Sequence, residues 1–212
     1  MERERLRTIF SKARVGIGGA GGLGSNCAVA LVRAGVRRLV IADFDKVSAS
    51  NLDRQYYFLP QVGEYKVDAL KETLARIDPD ALVSAHRTKL DPASVRRLFG
   101  GCQVIVEAFD DAEAKAMLIE TCLEAFPETH VVSASGLAGI GGFESIRVVH
   151  RGRFHLCGDF EREVSPDLPP VAPRVGIVAN LEADIVLDLL TRLEPDSRPE
   201  TRLSPAPGEN RD

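Results

Sequence analysis

The stretch VGIGGAGGLGSN, residues 15–26, puts six glycines into twelve residues, between a Val/Ile-rich run and a segment with helical periodicity. It constrains the fold more than any other part of the chain, because it fits G-x-G-x-x-G twice, from Gly16 to Gly21 and from Gly19 to Gly24. Glycines at this spacing permit a tight strand-to-helix turn whose backbone N–H groups face a phosphate, and the helix N-terminus adds partial positive charge. About twenty positions further on, closing the next apolar run RRLVIAD, stands Asp43, a carboxylate suited to ribose hydroxyls. Together these predict a site for an adenosine-type nucleotide and leave NAD and ATP both open. A tight turn without ligand is the plain alternative, and the flanking strand and helix weigh against it.

Apolar runs alternate with amphipathic segments along most of the chain, which predicts helices over 25–34, 66–77, 93–99 and 112–125 behind successive strands. The fold class that follows is α/β: a Rossmann-like, doubly wound, mostly parallel sheet covered by helices on both faces. Beyond THVVSASG the pattern changes. GFESIRVVH and RFHLCGD are separated only by a short turn at Arg151 and Gly152, predicting an antiparallel hairpin at one side of the sheet. Residues 161–173 carry four prolines and read as a surface loop, and 174–193 resume a long C-terminal helix. Residues 1–194 are expected to form one domain, with 195–212 a disordered tail poor in large apolar residues.

Composition removes several function classes. The 212 residues carry a formal net charge of −4, with no basic surplus for nucleic acid or an anionic membrane. No apolar run is long enough to span a bilayer, and MERERLRTIFSKAR is too charged for a signal-peptide core, so a cytoplasmic location is expected. Cys27, Cys102, Cys122 and Cys157 form no C-x-x-C pair and read as free thiols. His86, His130, His150 and His155 show no metal-ligand spacing and read as packing residues.

The segment after Asp43, DFDKVSASNLDRQYYFLPQVGEYK, favours a triphosphate over a dinucleotide, because it clusters Asn51, Arg54, Gln55 and Lys66. Arg supplies a planar fork of donors and Lys a compact charge, both suited to oxygens that gain negative charge during displacement at phosphorus. Taken singly, each is equally a solvated surface residue. In VEAFDDAEAK, Asp110 follows a strand at the rim where open α/β sheets bind ligands and is a candidate Mg²⁺ ligand, whereas Asp111 reads as a helix cap.

GAGGLGS, DFDKVSASNLDRQ, VGEYK, EAFDD, SASGLAG and VAPRV together resemble the ThiF/MoeB/HesA group, bacterial relatives of the ubiquitin-activating E1 enzymes, over residues 13–192. The likeness is greatest to short ThiF-type sulfur carrier adenylyltransferases. It implies a homodimer that uses Mg·ATP to adenylylate the C-terminal carboxylate of a small ubiquitin-like sulfur carrier ending in Gly-Gly, of the ThiS kind that serves thiamine thiazole synthesis. Gly19, Gly21, Gly22 and Gly24 would then line the phosphates, Asp43 the ribose, and Asn51, Arg54 and Lys66 the triphosphate, with Asp110 serving the metal. Arg54, Lys66 and Asp110 are the expected catalytic set. Two departures stand out: the paired C-x-x-C motifs for structural zinc are missing, so no zinc is expected, and the N-terminal R-Y-x-R-Q segment is missing too. Arg7 and, less directly, Arg14 are the remaining candidates for an arginine reaching a neighbouring subunit.

An ionised C-terminal carboxylate has a reference pKa of about 3.5 and needs no general base, which fits the lack of a catalytic histidine. GLAGIGG at residues 136–142 is a candidate passage for a narrow Gly-Gly tail, against the alternative of an ordinary turn. Cys157, two residues after His155, is a candidate acceptor of the activated carrier, against the commoner reading of a packed free thiol. The rival functions are an NAD-dependent oxidoreductase, a non-catalytic E1-like subunit, and adenylylation of another carboxylate, including one on tRNA; the acidic charge makes the tRNA version the weakest.

Overall fold

The computed structural model describes residues 2–193, so the tail expected over 195–212 lies outside the described residues. In chain order the elements are α1 (Glu2–Lys12), β1 (Arg14–Gly18), α2 (Gly22–Ala34), β2 (Arg38–Asp43), α3 (Lys66–Ile77), β3 (Leu82–Arg87) and α4 (Pro92–Phe99). They continue with β4 (Val104–Glu107), α5 (Ala112–Ala125), β5 (His130–Ser135), β6 (Arg147–Arg151), β7 (Phe154–Gly158) and α6 (Ala172–Leu193). The strands form one sheet in the order β3-β2-β1-β4-β5-β7-β6. Every pairing is parallel except β6 with β7, which is the predicted hairpin. No helix among the described residues is long and apolar enough to cross a membrane.

Strands covered on both faces must be apolar at successive positions, and β2 illustrates this. Leu39 and Ile41 enter a core shared with α2, α3 and α6, while Val40 and Ala42 enter a second core with α4 and α5. Helices approach the first strand so closely that two glycines of the opening motif are explained by packing alone. A Cβ on Gly16 would sit 2.7 Å from the Phe99 ring, and one on Gly18 would sit 2.6 Å from a Leu118 methyl.

Helices α4 and α6 begin at Pro92 and Ala172, one and two residues before the expected starts, and two larger differences lie nearer the N-terminus. Helix α2 begins at Gly22, three residues before the apolar periodicity, because its first turn is built from glycines of low helix propensity that the loop geometry requires. Helix α1 has no predicted counterpart: it is strongly charged and buries only Ile9 and Phe10, so its place depends on packing against the rest of the fold.

From β1 the chain winds outward through β2 and β3, then returns to place β4 on the other side of β1. The crevice at the C-terminal ends of β1 and β4 is therefore the topological switch point, where open α/β sheets bind ligands.

Candidate active site

The glycine turn occupies that crevice. Gly19 has φ +96°, a left-handed conformation that side chains resist, and its N–H donates to the Ala42 carbonyl at 2.9 Å. The first turn of α2 folds directly onto it, since a Cβ on Gly24 would lie 1.9 Å from the Gly19 carbonyl oxygen. Gly21 occupies the N-cap of α2 without a side-chain cap, which leaves the positive end of the helix open to an anion. Asp43 is buried; its Oδ2 accepts the Ala20 N–H at 2.7 Å and its Oδ1 the Asp45 N–H at 2.8 Å. Each carboxylate oxygen retains acceptor capacity for a ribose hydroxyl.

A second wall is laced to this turn by side chains that the sequence reading did not single out. Ser25 Oγ donates to the Gly21 carbonyl and accepts the Tyr56 N–H at 3.0 Å, and Asn26 Nδ2 donates to the carbonyls of Gly22 and Arg54 at 2.7 and 3.0 Å. The Tyr57 hydroxyl donates to the Ala20 carbonyl at 2.7 Å and lies 3.3 Å from that of Lys66. Burial, reinforced by Asp43 and Asp45, holds this phenol protonated far above its ordinary range. The segment carrying Arg54 therefore lies against the glycines, with the Arg54 Cγ 3.9 Å from where a Gly22 Cβ would be.

The polar groups here are differently engaged. Arg54 donates to Asp53 at 2.7 Å and to the Ser50 carbonyl at 3.2 Å. Lys66 opens α3, and its buried Nζ contacts Asp45 Oδ2 at 2.8 Å, while the Asp45 side chain is 48% exposed. A shielded ammonium held by one solvent-accessible carboxylate is able to exchange that partner for a phosphate. Asn51 is committed at one end, its Oδ1 accepting the Ser48 N–H at 3.0 Å. Gln55 Oε1 is buried with no partner, an open acceptor beside Gly21. Asp110 is exposed and makes no hydrogen bond or ion pair with the described residues, whereas Asp111 caps α5 through the Ala114 N–H at 2.8 Å.

The donor set fits the expected ligands. The turn offers an uncapped helix end for phosphates, and one free carboxylate suits Mg²⁺, which binds through one or two carboxylates plus substrate phosphates and keeps several waters. No cage of three or more His, Cys, Asp or Glu residues occurs among the described residues.

Other candidates are not brought to this crevice within the protomer. Arg14 begins β1 at the opposite end of the sheet, reaching the Leu98 carbonyl at 3.5 Å. Arg7 lines a surface cavity of about 630 Å³ with Arg33, Arg37 and Asp78, also at that opposite end. The candidate acceptor role of Cys157 is corrected: the residue is completely buried, and burial together with Glu182 pushes its thiol far above the ordinary cysteine range. Nor does His155 activate it, since the ring nitrogens of His155 contact Nδ1 of His130 at 2.8 Å and Nδ1 of His150 at 2.6 Å. In the 136–142 turn, Gly136, Gly139, Gly141 and Gly142 all have positive φ, between 62° and 75°. Arg162 and Arg174 donate to the Gly141 carbonyl, so these glycines have a reason in the turn itself.

A doubly wound sheet with a glycine turn, a buried carboxylate and two basic side chains gathered at its switch point defines a Rossmann-like α/β protein. The chain belongs to the ThiF family, which residues 2–207 match. It is 28% identical over 182 residues to molybdopterin-synthase adenylyltransferase of Salmonella typhimurium, covering 84% of this chain and 73% of that protein. It is 31% identical over 176 residues to the adenylyltransferase and sulfurtransferase UBA4 of Eremothecium gossypii, covering 82% of this chain but only 37% of that protein. Among solved structures, tRNA N6-threonylcarbamoyladenosine dehydratase of E. coli in complex with ATP superposes with a TM-score of 0.80 at 21% identity, over 89% of this chain and 90% of that one.

Proposed function

We propose that the protein is an E1-like adenylyltransferase that transfers AMP from Mg·ATP to the C-terminal carboxylate of a small ubiquitin-like sulfur carrier ending in Gly-Gly, releasing pyrophosphate. The observation that carries this reading is the set around the glycine turn: Arg54 laced against Gly22, Lys66 tied to the turn through Tyr57, and Asp110 left unpaired at the end of the adjoining strand. A dehydrogenase has no evident use for these groups.

The carboxylate nucleophile arrives ionised, so its attack on the α-phosphorus calls for alignment and charge neutralisation rather than proton removal. The turn and the start of α2 orient the phosphates, and Asp43 orients the ribose. Arg54 and Lys66 offset charge that grows on the phosphate oxygens and the leaving pyrophosphate; removing one such donor typically costs about 100- to 1,000-fold in rate. Asp110 would hold Mg²⁺, which neutralises charge on the phosphates when bound. A homodimer, with Arg7 the candidate arginine offered across it, belongs to the same proposal, as does a ThiS-like carrier for thiamine thiazole synthesis.

Pyrophosphate–ATP exchange with a panel of purified Gly-Gly-ending carriers tests nucleotide, reaction and partner together. Exchange that depends on one carrier is the expected result. A protein that ignores Mg·ATP but binds a nicotinamide dinucleotide tightly would overturn the proposal. A second reading, adenylylation of a carboxylate carried on tRNA, is supported by a 33% identity over 138 residues to tRNA threonylcarbamoyladenosine dehydratase of Bacillus subtilis, covering 64% of this chain. The net charge of −4 weighs against it, and tRNA bearing that modification belongs in the same assay.

A further inference from the structure

Glu107 closes β4, and its carboxylate is completely buried. Both oxygens are engaged: Oε1 accepts the Phe109 N–H at 2.7 Å, while Oε2 accepts the Ser133 hydroxyl at 2.6 Å and an ion pair from Lys115. Lys115 also donates to the Ala134 carbonyl at 3.2 Å, so it spans the ends of β4 and β5. A buried ion pair is poor evidence of a contribution to stability, because apolar residues of similar volume often serve as well. Its use has to be sought in what it holds.

What it holds is the turn between β4 and α5. The Ala108 N–H donates to the Gly18 carbonyl at 2.8 Å, and the Ala108 carbonyl oxygen and the Phe109 ring lie 2.7 and 3.2 Å from where a Gly19 Cβ would be. The next residue is the unpaired Asp110. Beyond it, Asp111 caps α5, and one turn later the Lys115 side chain folds back to Glu107. Asp110 thus lies between two anchored points and follows directly on the residues packed against Gly19. Across the end of the sheet, Glu182 is buried with neither carboxyl oxygen hydrogen-bonded. Burial, then the charge of Glu107, pushes Glu182 toward its neutral form, which leaves Lys115 to the Glu107 carboxylate.

We propose that Glu107, paired with Lys115, is the positioning residue that aims Asp110 at the nucleotide, so that this pair sets the affinity for Mg·ATP without setting the affinity for metal-free ATP. The inference rests on the nucleotide reading of the site given above. Outer partners of this kind typically change metal affinity by about 10- to 100-fold when removed.

The test is calorimetric titration of the full chain with ATP, in excess Mg²⁺ and in chelator. Glu107→Gln keeps an oxygen for the Phe109 N–H but turns an amide donor toward the Lys115 ammonium. The expected result is a loss of about 10- to 100-fold in the advantage that Mg²⁺ gives to ATP binding, with metal-free affinity unchanged. General disruption of the fold would weaken both. The neutral pair Glu107→Gln with Lys115→Met removes the clash and is expected to restore most of the Mg²⁺ advantage, as coupled residues do in a double-mutant cycle. If Glu107→Gln does not fold, Ser133→Ala removes one donor to the same carboxylate and should shift the Mg²⁺ advantage in the same direction by a smaller factor.

Wild-type protein that fails to bind ATP at all would overturn the nucleotide reading and this inference with it. Wild-type that binds Mg·ATP, beside a folded Glu107→Gln that keeps the full Mg²⁺ advantage, would overturn this inference alone. So would a double variant no better than the single one, or an unchanged Ser133→Ala.

Discussion

The chain carries two glycine-rich turns that read alike as sequence, one at residues 16–24 and one at 136–142, and the fold builds them differently. In the first, a single glycine, Gly19, has a left-handed backbone, and the others admit neighbours: Phe99 at Gly16, Leu118 at Gly18, and the loop's own carbonyl at Gly24. In the second, all four glycines are left-handed, and buried Arg174, paired with Asp159 at the end of β7, holds the Gly141 carbonyl. The closely packed first turn runs into a helix N-terminus without a side-chain cap. Left-handed turns clamped by arginine satisfy their own carbonyls. Glycine content alone therefore says little about which turn binds phosphate; what the missing side chains make room for says more.

Substitutions can break this comparison. The largest effect is expected from Gly24→Ala, whose Cβ would fall 1.9 Å from the Gly19 oxygen and force the turn open. Calorimetry should find no ATP binding, while circular dichroism retains most of the α/β signal. Binding at wild-type strength would show that the first turn is not a tightly packed phosphate site.

Next comes Arg174→Met, which leaves Asp159 buried without its main counter-charge. Truncating one side of such a pair costs about 3–5 kcal/mol, to be read by urea unfolding. Because the hydrogen bonds and arginines around Asp159 outweigh its burial and hold its carboxyl below the ordinary range, its contribution is present above the unfolded carboxylate pKa of about 3.9. In the wild type that contribution is lost as pH falls below this value through the lower folded one. The variant should show a weaker acid limb there.

Gly141→Ala should cost less. Nothing lies within 4 Å of the added carbon, so only the left-handed backbone at φ +71° resists it. A loss of about 1–2 kcal/mol in unfolding, with ATP affinity unchanged, is expected.

The smallest effect concerns the histidine chain at the other end of β5 and β7 from the second turn. Burial, then His130 and His150, lowers His155 from 6.5 to about 4. A folded pKa below the unfolded one favours the neutral ring, so its stability contribution is complete above pH 6.5 and fades as pH falls toward 4. Melting temperatures measured across that window should fall with acid, and less steeply in His155→Gln.

Most of the fold was legible because its signals are local. Val/Ile runs, amphipathic segments, and the short turn between β6 and β7 predicted the mostly parallel sheet, its hairpin and the long C-terminal helix. Asp111 read correctly as a cap because capping is settled within one helical turn. Candidate site residues were legible as chemistry but not as partners. Asp45 was not singled out in DFDKV, and only the fold set it on Lys66. The bonds of Tyr57, Ser25 and Asn26 could not be read from any motif, since each ties together segments distant in the chain.

By itself the sequence determined the order of strands and helices after α1, the glycine turn with its acidic partner Asp43, and the family to which the chain belongs. These depend on spacing along the backbone, which a linear chain records. Tertiary structure alone decided that Cys157 is sealed inside the core, that three histidines from two neighbouring regions form one chain, and that Glu107 meets Lys115 beneath the unpaired Asp110. Burial and charge pairing arise between side chains that no spacing rule along the chain relates, and they exist only once the fold has brought those residues together.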